Sequence, residues 1–135
     1  MSMGNVTAEP ILAVVDGKEY KVGLITQAAK GQLERICEKR AREAVLAGKD
    51  QLTDEEFKLA YSSFLDKVAS GDFAYGGPTF RRWIDSGLGT LAMVQVLFGV
   101  GADEAERLVT HGPAEVSAAL RSVFAASFPQ APAAS

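Results

Sequence analysis

The chain has 135 residues, 47% of them apolar, enough to close a hydrophobic core without disulfides or metals. Fourteen basic against seventeen acidic side chains leave a net charge of −3, so no long-range attraction draws the chain to a polyanion and nucleic acid is not an expected partner. Cys37 is the single cysteine, which excludes an internal disulfide, and no apolar run approaches the roughly 18 residues needed to span a bilayer. The first residues, Met1-Ser2-Met3-Gly4-Asn5, have no basic stretch followed by an apolar core, so no membrane association and a cytoplasmic location are expected.

In Ile11-Leu12-Ala13-Val14-Val15-Asp16-Gly17-Lys18-Glu19-Tyr20-Lys21-Val22 an apolar run meets an Asp-Gly pair, and polar and apolar positions then alternate. Asp-Gly suits a turn in which both central residues need positive φ, so the segment predicts a β-hairpin. A lone hairpin is marginal in water, and this one must lie on helices or join another sheet. From Thr26 to about Ala47, Leu33, Ile36, Cys37, Ala41, Ala44 and Val45 form a narrow apolar stripe opposite a face of mixed charge that includes a favourable Glu38–Arg42 pair. Gly48 would end this helix.

The next helix has the clearest signature. Thr53 and Glu56 make a capping box, and Phe57, Ala60, Tyr61, Phe64, Leu65 and Val68 fall on one side, which predicts the central core helix. Gly71 closes it, and Asp72 to Gly77 connect it to Pro78, a residue suited to a first helical turn. Short helices are then predicted from Thr79 to about Asp85, Thr90 to Phe98, Asp103 to about Thr110, and Pro113 to about Ser127, with Asp103 and Glu106 as a second capping box. The tail from Pro129 to Ser135 has little to bury and is expected to be disordered. The expected fold is mainly α: an N-terminal β-hairpin and a compact bundle of five to six helices, a single domain over residues 1–128 with a candidate subdomain hinge at Gly76-Gly77.

Little in this sequence suggests a reaction. His111, the only histidine, sits at a predicted helix C-terminus, where an imidazolium favours the helix dipole. One His and one Cys far apart match no zinc spacing, and Asp54-Glu55-Glu56 is accounted for by the charge preference of a first helical turn. Gly87-Leu88-Gly89-Thr90 lacks the third Gly of a dinucleotide loop and the Gly-Lys-Ser/Thr of a P-loop. Two short helices meeting at His111-Gly112-Pro113 have the layout of a helix-turn-helix. The would-be reading helix carries one Arg and one Glu, too few cations to enter a major groove. No catalytic residue, cofactor site or metal site is expected.

The segment best suited to a partner is Phe73 to Trp83, where aromatics and Arg cluster around Gly76-Gly77-Pro78. Phe80, Trp83 and Ile84 are suited to docking a short helix onto the core. Tyr75, Arg81 and Arg82, with Trp83, are the candidate partner-binding residues.

The order Gly87-Leu88-Gly89-Thr90-Leu91-Ala92-Met93-Val94-Gln95-Val96-Leu97-Phe98, then Ala102-Asp103-Glu104-Ala105-Glu106-Arg107-Leu108-Val109, then Ala114-Glu115-Val116-Ser117-Ala118-Ala119-Leu120 resembles the small tail assembly chaperones of tailed bacteriophages and related gene-transfer particles. The hairpin segment Asp16-Gly17-Lys18-Glu19-Tyr20 is similar to the one with which many of them begin, so the resemblance covers about residues 10–128. The Phe-Ala-Tyr-Gly-Gly-Pro-Thr-Phe-Arg-Arg-Trp connector and the long charged helix over 26–47 depart from the family pattern. The resemblance implies a non-enzymatic protein in the host cytoplasm that coats the tape-measure protein and recruits tail tube subunits, with self-association open to it. A structural particle component such as a neck, connector or tail-completion protein, forming a fixed oligomer, is the alternative.

Overall fold

The computed structural model describes residues 9–128, so the predicted tail at 129–135 and the N-terminal residues before Glu9 lie outside the described residues. Among the described residues, two antiparallel strands are followed by six α-helices: β1 (Ile11–Val15), β2 (Lys18–Val22), α1 (Gln27–Ala47), α2 (Asp54–Ala69), α3 (Pro78–Ile84), α4 (Gly87–Phe98), α5 (Ala102–His111) and α6 (Pro113–Ser127), with a 3-10 turn at Lys49–Gln51 after α1. This is the expected mainly helical fold with an N-terminal hairpin. The chain divides into two compact units, one formed by Met1–Lys30 with Leu91–Ser135 and the other by Gly31–Thr90. The boundaries fall inside α1 and α4, while Gly76-Gly77 lies within the second unit.

The first unit is built on the hairpin. Asp16 has φ 52° and Gly17 φ 80°, the two positive values that an Asp-Gly turn of this type requires. The register pairs Val15 with Lys18, Ala13 with Tyr20 and Ile11 with Val22. Strand alternation turns Val15, Tyr20 and Val22 inward, while Leu12 and Val14 stand 59% and 58% exposed on the opposite face. β1 packs on α6, and α6 on α5. The chain leaving β2 is tied down by backbone donors: Gly23 N–H donates to Leu97 O at 2.7 Å, and Ile25 N–H to Ser127 Oγ at 2.9 Å. Between these layers lies an aliphatic core that includes Val15, Val22, Val94, Leu108 and Val123, all fully buried.

The second unit is closed by aromatics instead. Ring contacts run from Phe57 to Tyr61, Tyr61 to Phe64 and Phe64 to Phe73, and a second run links Tyr75, Phe80 and Trp83. α2 begins with the predicted capping box: Glu56 N–H donates to Thr53 Oγ1 at 3.1 Å and Thr53 N–H to Glu56 Oε1 at 2.9 Å. It ends in a Schellman turn, with Gly71 at φ 80°, Gly71 N–H bonded to Val68 O and Asp72 N–H to Lys67 O. The connector then folds back so tightly that a Cβ on Gly77 would lie on the carbonyl oxygen of Gly71 and 2.7 Å from that of Asp72, so only glycine fits. Asp72 caps the start of α3, accepting from the backbone N–H of Thr79 at 3.3 Å and from its hydroxyl.

Two expectations are corrected. α2 is not the central core helix: Phe64 is its one buried residue, whereas Leu65 is 48% exposed. The most buried helix is α4, with Ala92, Met93, Val94, Leu97 and Phe98 all inside, because it is apolar on every side and carries no charged residue. Asp103 and Glu106 form no capping box either. α5 starts one residue earlier, on an extended Gly101 cap with no side-chain bond, which places Asp103 and Glu104 in the first turn. α4 likewise starts at Gly87, ahead of the predicted Thr90, because Ser86 Oγ accepts from Gly89 N–H at 3.2 Å.

Candidate protein-interaction site

Within the second unit a groove of about 500 Å³ runs between the C-terminal half of α1, α3 and the first turn of α4. Cys37, Ala41 and Ala44 form one wall because they recur on one face of α1 at helical spacing, and Trp83 and Leu88 form the other. Arg40, Glu43 and Thr79 supply the polar edge.

Trp83 is half-buried, its ring 5.6 Å from that of Phe80, and its Nε1–H is buried with no hydrogen-bond partner. A buried indole donor without an acceptor carries a desolvation cost of about 1–3 kcal/mol. Leu88 is 50% exposed at the groove. Its position follows from Gly89, where a Cβ would lie on the Trp83 carbonyl oxygen and 2.6 Å from Ile84 Cα, so α3 and α4 meet at van der Waals distance only through a glycine. Burial pushes the Cys37 thiol up to about 11, aided by the charges of Asp72 and Glu38, so it is protonated at neutral pH and acts as an apolar wall rather than a nucleophile.

The four predicted partner-binding residues are placed differently. Trp83 lines the groove. Arg81 and Arg82 are exposed on α3, with Arg82 Nη2 donating to Thr79 Oγ1 at 3.2 Å, and neither lines the groove. Tyr75 is half-buried, its ring 5.0 Å from Phe80 and its backbone N–H bonded to Glu34 Oε2 at 2.7 Å; burial raises its phenol pKa. Sequence reading missed Leu88 and the wall of α1. The pair of glycines around Leu88 was the available signal, since it marks a close backbone approach beside an exposed leucine.

A second cluster in the first unit also escaped the sequence. Tyr20 donates its hydroxyl to Glu104 Oε2 at 2.6 Å, and Arg107 holds the same carboxylate from Nε at 3.1 Å and Nη2 at 2.6 Å. Asp16 lies 3.8 Å from Arg107 Nη1. The bidentate guanidinium and the Tyr20 hydroxyl hold the Glu104 carboxyl down to about 2, and the Glu104 hydrogen bond raises the Tyr20 phenol. With Tyr20 and Arg107 converging on the Glu104 carboxylate, the cluster fastens β2 to α5. Among the described residues no group of His, Cys, Asp and Glu could hold a metal ion, and no single helix is long and apolar enough to cross a membrane.

No family model, curated protein or solved structure matches the chain.

Proposed function

We propose that the protein is a non-enzymatic, tail assembly chaperone-like protein that holds an apolar helix of a tape-measure protein in the Trp83–Leu88 groove and helps recruit tail tube subunits. The single observation that carries this reading is the groove itself, which places an exposed leucine beside the half-buried Trp83 and small residues of α1. A helix laid there covers Leu88 and what Trp83 leaves exposed. Arg81 and Arg82 add donors for a client acid at the rim of such a complex, where charges govern capture rate more than affinity. Because many copies bind along one long client, each contact need only be weak.

Trp83 is the only tryptophan, so its emission reads the groove directly. Titration with purified helical segments of a candidate tape-measure protein is expected to shift that emission to the blue, and Leu88→Lys to abolish the shift without altering helical content. Binding that leaves Trp83 emission unchanged and tolerates Leu88→Lys would refute the reading. The alternative, a structural particle component that bridges subunits through the hairpin, is favoured by one observation, the exposed apolar face of β1.

A further inference from the structure

β1 is an edge strand, and the geometry of its turn fixes which backbone groups it leaves open. A two-residue hairpin loop makes the flanking pair, Val15 and Lys18, the hydrogen-bonded one. The ladder alternates from there, so the N–H and C=O groups of Ile11, Ala13 and Val15 point to β2, and those of Leu12 and Val14 point away from it. No hydrogen bond among the described residues reaches these outward groups. The open edge is short, because Pro10 offers no N–H at the next outward position.

On one face of this edge Leu12 and Val14 are exposed side by side, flanked on β2 by Lys21 and Glu19. Along the same edge a groove of about 240 Å³ opens between residues 11–14 of β1 and α6, lined on the helix by Ala118, Ala119 and Ser122 with Glu115. An apolar edge is one that proteins usually blunt with charge, and β1 has no charged residue of its own.

We propose that β1 pairs antiparallel with β1 of a second copy of this chain, joining two hairpins into a four-stranded sheet about a two-fold axis at Ala13. This does not rest on the groove of the second unit. The register follows from the outward groups: Leu12 faces Val14 of the second copy and Val14 faces its Leu12, so all four open N–H groups and their four carbonyls are satisfied. Shifting by two residues in one direction brings Pro10 into the ladder, and shifting in the other sets the Asp16 carboxylate against Leu12. In the symmetric register the four aliphatic side chains lie together on one face. Each cross-sheet row then runs from Lys21 through Leu12 and the second copy's Val14 to its Glu19, so every row ends in opposite charges and none in like ones. Below the sheet the two copies of α6 meet through Ala118 and Ser122, one turn apart and small enough for close approach. The antiparallel arrangement brings Glu115 of each copy toward the Ser122 hydroxyl of the other rather than toward Glu115.

The test is the mass of the full chain by light scattering and sedimentation over a concentration series. Wild type is expected to show a reversible monomer–dimer equilibrium. Val14→Lys, at an exposed site that leaves the hairpin ladder intact, sets a charge opposite Leu12 of the other copy inside the aliphatic cluster and is expected to weaken the dimer at least about tenfold. Leu12→Lys should act alike, with circular dichroism unchanged for both. Ala13→Cys places two thiols at the axis and is expected to give a cross-linked dimer on mild oxidation. A wild-type monomer at every concentration, a discrete ring of higher order, or a dimer that survives both lysines would each overturn the proposal.

Discussion

The two units of this chain solve the same problem with different side chains. The first has aliphatic residues and alanines layered between a hairpin and helices, with several side chains fully buried. In the second, buried apolar residues are few, namely Leu33, Cys37, Phe64, Phe73 and Phe80, and rings in tilted contact close what they leave open. The same unit leaves Leu46, Leu52, Leu59, Leu65 and Leu88 exposed, Leu59 at 72%. Large rings seal a thin core from few positions, each covering far more area than an alanine or valine. A thin core leaves leucines at the surface, and those are what a partner can cover. The unit that carries the candidate groove is therefore the one with least reserve in its own interior.

Removing one core side chain from each unit tests this contrast most directly. Phe64 touches Tyr61 and Phe73 through ring contacts and lies under the Arg42 guanidinium, so Phe64→Ala is expected to cost about 3–5 kcal/mol in urea unfolding. Leu108→Ala, in a core of many interchangeable aliphatics, should cost about 2–4 kcal/mol. A Phe64→Ala protein as stable as wild type would mean that the aromatic path does not hold the second unit together.

Close backbone approach separates the units again at their glycines. At Gly89 the obstacle to a methyl group is the backbone of α3, which cannot rotate away, whereas at Gly112 it is the Cγ1 methyl of Val15. Gly89→Ala is expected to lower stability by about 1–3 kcal/mol and to change Trp83 emission, since it moves the groove wall. Gly112→Ala should cost less, because a rotamer change at Val15 relieves part of the clash. Equal losses in thermal melts would show that side-chain adjustment in the aliphatic core is no easier than backbone movement in the aromatic one.

Acid should act on the hairpin of the first unit. The Glu104 carboxyl is held at about 2 in the folded protein, below the usual 4.5, so its contribution is fully present above about pH 4.5 and is lost as pH falls through 2. Protonation weakens its bonds to Arg107 and Tyr20, and the protection of β2 amides, taken relative to the intrinsic exchange rate at each pH, is expected to fall across that window. Glu104→Gln should give the lower protection already at neutral pH and remove its further fall in acid. If the variant keeps the wild-type pH profile, another carboxylate fastens the hairpin.

These features differ in how visible they were before the structure. The hairpin turn was legible because Asp16-Gly17 states its own backbone requirement, and the start of α2 because Thr53 and Glu56 bond within one turn. Tyr20 and Glu104 stand 84 residues apart, and no local period connects them. The exposure of Leu65 was hidden for the opposite reason: its spacing fits the α2 stripe, but an apolar stripe buries only as much as the neighbouring elements cover. Within the candidate site, composition singled out Trp83, while Leu88 depended on how closely α3 and α4 approach at Gly89. Arg81 and Arg82 met the expectation of exposed α3 residues, yet the groove formed without them.

The helix caps give the finest distinction between the units. α2 opens on a side-chain box in which both Thr53 and Glu56 satisfy backbone donors, so Thr53→Ala is expected to cost about 1 kcal/mol. α5 opens on Gly101, whose cap has no side-chain bond, and Asp103 contributes only its charge in the first turn. Asp103→Ala should therefore cost a few tenths of a kcal/mol, reduced further by added salt, because a charge near exposed N–H groups is screened whereas a capping hydrogen bond is not. Paired urea titrations at low and high salt separate the two cases. A salt-independent loss near 1 kcal/mol for Asp103→Ala would mean that its side chain caps α5 in solution after all, with the helix starting two residues later than Gly101 dictates.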